Sequence, residues 1–409
     1  MKKAILAILA GFCALSLFPQ QLQHVTGVTN VEVPVRVYAG DKFVDSLTLN
    51  DFEVLEDRVP QKVVASYLIK KTDILRREEN QTLEPRTNRT FYLFFEIYEY
   101  LPRLREAIAF FVKNVLGPQD DLMLVTSMDS YSFKKGIQTR LSRDQVIDQM
   151  NGIVRMDTVT GNTEYRHTLD DLKVPAKKLS AILAMGDPSS TMGTDAGIWG
   201  GLRDSEGEIQ NLLEEYRAGL ARLDSMRTVD EKKIMDFARI LKQVEGQKYV
   251  FLFYQREFLP LLDKKVMSHY LDTQSETVQM TMRELFTYQT RAPAINAEAI
   301  KRAYSDSSIA IHFLYLTTLP EQTPGISFEE HSEDIFTPFL EIAEATGGLT
   351  ESTSNPLFAM QKAAEASENY YILYYVPANY RADGKFKEIS VKVKGQSYRV
   401  TNRSGYFAN

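Results

Sequence analysis

An uninterrupted run of apolar and aromatic residues at positions 91–95 most constrains the fold of this chain. A strand with such a run is buried only if both of its faces are covered, as in a parallel sheet packed between helices. The run ends abruptly at Glu96. Ligands of parallel α/β sheets bind beyond the carboxyl ends of the strands. Residues 96–100 therefore lie where a binding site is expected.

Similar apolar segments recur along the chain and alternate with helical patterns, which predicts an α/β fold. These segments are residues 122–126, 249–254, 309–316 and 370–376. The expected architecture over residues 90–377 is a three-layer, doubly wound, mostly parallel sheet. Two insertions are predicted in it, a glycine-containing irregular segment at about 156–202 and a helical segment at about 258–305. Long loops of this kind are often functional.

Both ends of the chain have the alternating pattern of half-buried strands. Val31, Val33, Val35 and Val37 begin a predicted β module over residues 24–70, and a polar linker is expected at 71–89. Residues 378–409 are predicted to form a β-hairpin. The ends of the chain that flank an inserted domain usually lie close together. The two β-rich ends are therefore expected to meet in a split β-sandwich.

The first residues have the features of an export signal. Lys2 and Lys3 precede an uncharged apolar run, and the chain's single cysteine, Cys13, lies within that run. Removal of residues 1–23 would leave a mature protein without disulfides and without an integral membrane span. We expect an exported protein, either periplasmic or extracellular.

The charge of the chain disfavours nucleic acid as a partner. The formal net charge is −6, from 48 basic and 54 acidic residues. Loss of the two signal lysines would make it about −8, and nucleic-acid phosphates require a basic surface.

Several short sequence segments near the two ends of the chain resemble those of the von Willebrand factor type A family, and more narrowly those of the bacterial secreted proteins called VWFA-related. They are residues 47–54 (Leu-Thr-Leu-Asn-Asp-Phe-Glu-Val), 60–63 (Pro-Gln-Lys-Val), 370–377 (Tyr-Tyr-Ile-Leu-Tyr-Tyr-Val-Pro), 383–386 (Asp-Gly-Lys-Phe) and 405–407 (Gly-Tyr-Phe). The resemblance covers most of the chain. It implies a sheet with a ligand site at its carboxyl edge.

The resemblance also implies a metal-ion-dependent adhesion site, but this chain departs from its pattern. The Asp-x-Ser-x-Ser run of the family aligns with residues 96–100, where Glu96, Tyr98 and Tyr100 replace the ligands. The family's threonine falls near Thr163 and its later aspartate near Gln255. A hard cation needs a cluster of small oxygen ligands at short range. The site is therefore expected to be degenerate and to bind no metal or other cofactor.

Two interpretations of this edge remain open. In the first, Glu96, Glu99 and Glu257 rebuild a site for magnesium, manganese or calcium. In the second, the edge binds a partner without metal, through Glu96, Gln255, Glu257 and neighbouring side chains. The predicted ligand-binding neighbours are Tyr98, Tyr100 and Thr163, with the aromatic residues Tyr131, Tyr165 and Trp199 expected nearby.

No catalytic constellation is visible in the sequence. The five histidines are isolated, no Gly-x-Ser-x-Gly nucleophile motif occurs, and His312 is expected to be a buried, hydrogen-bonded strand residue. We therefore expect a non-enzymatic interaction protein that binds a protein or a cell-envelope surface ligand. The alternatives are a metal-dependent adhesion module and an envelope hydrolase.

Overall fold

The computed structural model describes residues 30–80, 83–133, 135–185, 206–226, 230–262, 276–285, 295–321, 326–330 and 332–409. The predicted export signal, Cys13 and Trp199 lie outside these residues. Within them, no helix combines the length and the apolar character needed to cross a membrane.

The strands of the described residues are numbered in chain order. They are β1 Val31–Ala39, β2 Lys42–Phe43, β3 Phe52–Glu56, β4 Val59–Gln61, β5 Val63–Lys70, β6 Asp73–Glu79, β7 Arg89–Glu96, β8 Asp121–Thr126, β9 Ser130–Phe133, β10 Gln247–Gln255, β11 Phe258–Leu261, β12 Ile309–Leu316, β13 Ser327–Glu330, β14 Thr350–Thr353, β15 Asn369–Tyr375, β16 Phe386–Val393, β17 Arg399–Asn402 and β18 Gly405–Phe407.

The helices of the same residues begin with α1, which continues into a π-helical turn at Phe111–Val115. They are α1 Leu104–Phe110, α2 Ile137–Arg140, α3 Arg143–Gly161, α4 Thr163–Met185, α5 Glu206–Met226, α6 Glu231–Gln243, α7 Glu276–Leu285, α8 Ala297–Asp306, α9 Glu333–Ala345 and α10 Pro356–Glu368. Ser142 caps α3 through a reciprocal bond pair with Gln145, as its position in the sequence predicts.

Mixed helices and strands make the protein an α/β protein. The main sheet has the order β14-β12-β10-β7-β8-β9, and all of its neighbours are parallel except the edge pair β8 and β9. Strand β7 lies inside this sheet, between β10 and β8. The stacked rings of Phe95 and Phe253, 5.0 Å apart, link the two central strands.

Alternate residues of the central strands enter two different hydrophobic clusters. Phe91, Leu93 and Phe95 pack with residues of α1, α3 and α10. Tyr92, by contrast, packs in a cluster with residues of α6, α8 and α9. Helices thus cover both faces of β7, which explains how a continuous apolar run can be buried there.

Two smaller sheets contain strands from both ends of the chain. One has the order β17-β1-β15-β5-β6, with β2 on β1, and the other has the order β18-β16-β3-β4. Their inner residues share one core that includes Val35, Val54 and Val391. The buried carboxylate of Glu56 accepts a hydrogen bond of 2.6 Å from the Tyr375 hydroxyl and so ties the two sheets together.

Three sequence-based boundaries are wrong. Residues 71–89 are not only a linker, because Asp73–Glu79 is edge strand β6 on β5, with alternate side chains in solvent. Strand β15 belongs to the sandwich and not to the main sheet, since it pairs with β1 and β5. The hairpin predicted in residues 378–409 does not join β16 to β17, because β16 pairs with β3 and β18 while β17 pairs with β1.

The predicted irregular segment also differs from the structure. Residues 156–185 are helical, in the end of α3 and in α4, and residues 186–202 lie outside the described part. Pro175 within α4 masks the helical pattern.

Candidate functional site

Gln255 organises the carboxyl edge of the main sheet. It ends β10, is 1% exposed, and its side-chain oxygen accepts a 3.0 Å hydrogen bond from the backbone N–H of Glu99. The following residue, Arg256, donates its backbone N–H to the Leu316 carbonyl at 2.9 Å. Gln255 therefore holds the loop after β7 at the edge. Its other side-chain atom, Nε2, is buried without a hydrogen-bond partner among the described residues.

Tyr98 contacts the protein's own helices rather than pointing into solvent. Its hydroxyl donates to the Arg256 carbonyl at 3.2 Å, and its ring lies 5.6 Å from the ring of Tyr165 on α4. Burial raises the pKa of Tyr98 to about 12. The side chain is a neutral structural contact at neutral pH.

Tyr100 is also half-buried. Its hydroxyl donates a 2.5 Å hydrogen bond to Oδ1 of Asn151 on α3, and its ring packs against the main core. The Arg155 guanidinium lies 6.0 Å from the ring centre. Tyr100 thus anchors the loop after β7 to α3.

Glu96 is an acidic group that this edge leaves available. It ends β7 and keeps solvent-exposed surface, while desolvation by the surrounding protein raises the pKa of its carboxyl. Within the described part of the chain, no side chain or backbone group forms a hydrogen bond or ion pair with this carboxylate. A partner could therefore supply the compensating donor or cation.

The other residues predicted to bind a ligand, Glu257 and Thr163, form hydrogen bonds with neighbouring groups of the protein. Oε1 of Glu257 accepts a 3.0 Å hydrogen bond from the Tyr254 hydroxyl. Thr163 begins α4, and its hydroxyl donates to the Val159 carbonyl at 2.8 Å. The structure therefore does not direct the Thr163 hydroxyl toward Glu96.

The residues that the structure describes contain no group of three or more histidine, cysteine, aspartate or glutamate side chains arranged to hold a metal ion. Glu96, Glu99 and Glu257 are accordingly not assembled into the rebuilt metal site considered above.

Asp157 is an important polar residue that the sequence interpretation missed. It is 6% exposed on α3 and accepts hydrogen bonds from Thr126 at 2.6 Å and from the Tyr131 hydroxyl at 2.8 Å. These bonds fix the turn after β8 to α3. The signal in the sequence is a carboxylate that falls on the apolar face of a helix, beside Val154.

Helices α4, α5 and α7 form a helical unit beside this edge. They share a hydrophobic cluster with β11, which pairs with β13. The Tyr216 hydroxyl of α5 donates to the Pro260 carbonyl at 2.8 Å and so fixes β11 to the helices. Through Tyr165, the unit covers the aromatic position at which a partner was expected to bind.

Large apolar side chains are exposed at other positions of the edge. Met128 follows β8 and is 52% exposed, and Leu319 follows β12 and is 93% exposed. Met156 and Val159, one turn apart on α3, are 68% and 44% exposed. Met128 lies directly against Gly161 at the end of the same helix.

Comparison with known proteins does not place the chain in a family. No family model matches it, and no curated protein matches it. Among eight matching solved chains is the human COPII-coat protein Sec24c, with 9% sequence identity and a TM-score of 0.32. The alignment covers 80% of this chain and 44% of that one. A similarity at this level supports no functional inference.

Proposed function

We propose that this chain is a non-enzymatic, exported interaction protein whose α/β domain has the three-layer, doubly wound arrangement of von Willebrand factor type A domains. It binds a protein partner at the carboxyl edge of the main sheet without a metal ion. The observation that carries the proposal is the exposure of Met128, Met156, Val159 and Leu319 at or beside this edge. In this proposal, the export signal at residues 1–23 directs the protein to the periplasm or to the exterior of the cell.

The surface chemistry supports a protein partner. Contiguous exposed apolar patches mark interaction sites, and methionine is enriched in interfaces. Met128 lies against the end of α3, the helix that carries Met156 and Val159. Glu96 adds an uncompensated acidic group to the edge. The complementary partner surface would have an apolar centre and a basic side chain facing Glu96. This proposal replaces direct binding by Tyr98 and Tyr100, whose rings serve internal contacts.

Site-specific photocrosslinking in the cells that make the protein tests this proposal. We expect a photoreactive residue at position 319 or 128 to yield an adduct of the same defined mass. A reporter at Ile240, which is 60% exposed on α6, serves as the matched control and should yield none.

Competition makes the crosslinking test specific. Excess unmodified protein should abolish the adduct by competing for the partner. The Met128→Glu, Leu319→Glu double variant should reach the same competition only at a concentration at least about tenfold higher. Both positions are exposed, so these changes should leave folding intact. Equal competition by both proteins, or the same adduct from position 240, would contradict binding at the edge.

A further inference from the structure

A small polar cavity lies between the amino edge of the main sheet and the β-sandwich. Its volume is about 10 Å³, enough for one water-sized particle. Three cationic residues line it, Arg36 from β1, Lys248 from β10 and Arg403 from the turn before β18, together with Tyr249 and Ser308. The cavity lies at the opposite end of the sheet from the proposed partner-binding edge.

The three cations are buried and have only neutral hydrogen-bond acceptors. Arg36, Lys248 and Arg403 are 3%, 4% and 8% exposed, and in the described part of the chain none of them forms a salt bridge. The bonds that they donate go to neutral oxygens: Arg36 to the Gly347 carbonyl at 3.1 Å, Lys248 to the Val244 carbonyl at 2.8 Å, and Arg403 to the Ser308 hydroxyl at 2.5 Å and the Glu32 carbonyl at 2.6 Å.

One donor at the cavity has no partner. Nε of Arg403 is buried without a hydrogen bond to any described residue. A buried donor without an acceptor costs about 1–3 kcal/mol. The vacant acceptor position thus coincides with an excess of positive charge.

Nearby carboxylates are engaged elsewhere. The Glu32 carboxylate accepts hydrogen bonds from Gln247 at 3.0 Å and from the Tyr374 hydroxyl at 2.6 Å. Asp306 pairs with Lys242 at 2.6 Å. Burial and the neighbouring Arg403 lower the pKa of Lys248 to about 8, and the Glu32 carboxylate offsets only part of this shift.

We infer that this cavity binds one small monatomic inorganic anion, chloride, which links the β-sandwich to the α/β domain. Chloride would accept the free N–H at Nε of Arg403 and would add a negative charge among the three cations. A water molecule could accept the same hydrogen bond but would bring no negative charge. The inference does not depend on the proposed partner binding.

Thermal unfolding of the full chain tests the anion. Sodium chloride replaces sodium gluconate at constant ionic strength, at pH 7, so that only the identity of the anion changes. Since an anion that binds the native state stabilises it, we expect a saturable rise of about 2 °C or more in the unfolding midpoint. A midpoint that is indifferent to chloride would overturn the inference.

Matched lysine variants locate the effect. Lys248→Met should abolish the chloride response or raise the half-saturating concentration at least about fivefold. Lys362→Met should retain it. Lys362 lines a neighbouring cavity of about 310 Å³ that also contains Arg36. If Lys362→Met lost the chloride response and Lys248→Met kept it, the anion would bind in the cavity that Lys362 lines, and the inferred site beside Lys248 would be refuted.

Crystals of the unmodified protein in sodium bromide give a readout that does not depend on any variant. Bromide should produce one anomalous peak among Arg36, Lys248 and Arg403. Absence of that peak, with ordinary water density in its place, would show that the cavity holds water only and would overturn the inference.

Discussion

Single buried polar residues connect elements that are distant in sequence. His312 lies in β12 and is fully buried. Its Nδ1 accepts a 3.2 Å hydrogen bond from the Leu349 backbone N–H, so Nε2 carries the proton and donates to Ser367 at 3.0 Å. The Ser367 hydroxyl in turn donates to the Ala363 carbonyl at 2.7 Å. A neutral imidazole thereby links β12, the turn before β14 and α10.

We predict that His312 makes the fold acid-sensitive. Burial, with a smaller contribution from Arg36, lowers the pKa of His312 well below its usual 6.5. Below pH 6.5 the unfolded chain therefore binds a proton that the folded chain excludes, and stability falls as the pH decreases, by up to about 1.4 kcal/mol per pH unit. Denaturant unfolding between pH 7.5 and 5 measures this slope.

The variant His312→Phe should lose part of the slope. It should also be about 1–3 kcal/mol less stable at pH 7.5, because the Leu349 N–H loses its acceptor. His167→Phe, at an exposed position of α4, is the control and should keep the slope. An unchanged slope in His312→Phe would rule out His312 as the source.

The sequence could predict some residue roles and not others. The burial of His312 follows from its apolar neighbours within one strand. The bond from Glu99 to Gln255 joins the loop after β7 to the end of β10. The local sequence pattern contains no information on contacts between such distant segments, so it predicts Gln255 as a ligand-site residue and does not reveal its structural bond.

At the scale of elements, the sequence predicts the central strands because a short, continuous apolar run can adopt few other buried structures. The same argument failed for β15. Its sequence, Asn-Tyr-Tyr-Ile-Leu-Tyr-Tyr, is equally apolar on both faces, yet it pairs antiparallel with β1 and β5. Strand β6 was missed for the opposite reason, because its charged residues suit an edge strand as well as a linker.

The helical unit of α4, α5 and α7 should unfold separately from the main sheet. Its cluster contains no residue of β7 or β10. Leu213→Ala, at a fully buried position of α5, should cost this unit about 2–5 kcal/mol. Hydrogen exchange should accelerate in α4 and α5 while β7 and β10 remain protected.

The matched control is Leu93→Ala in β7, which is also fully buried. It should accelerate exchange throughout the main sheet. If Leu213→Ala accelerated exchange in β7 as much as in α5, the helical unit and the sheet would form a single cooperative unit.

At the scale of the whole molecule, the sandwich is complete only when both chain ends are present. Val35 pairs with Asn402, and Val54 pairs with Val391. The general expectation that the β-rich ends approach one another came from composition and the inserted-domain argument. The assignment of individual strands to the two sheets required long-range pairing that the sequence does not encode locally.

We predict that removal of residues 377–409 unfolds the amino-terminal strands. The deletion takes away β16, β17 and β18 and exposes the inner side chains of Val37 and Val54. Hydrogen exchange over residues 31–79 should become rapid. Addition of a peptide comprising residues 377–409 should restore protection, whereas a scrambled peptide should not. Unchanged protection in the truncated chain would contradict this prediction.

The pairing of β1 with β15 and β17 determines when the protein can fold during its synthesis. The valines of β1 leave the ribosome early, but their partner strands emerge hundreds of residues later. Until then an apolar strand with unpaired edges is available to chaperones and to aggregation. Folding of the sandwich is therefore completed only after the carboxyl-terminal strands have been synthesised, and such long-range pairing is slow.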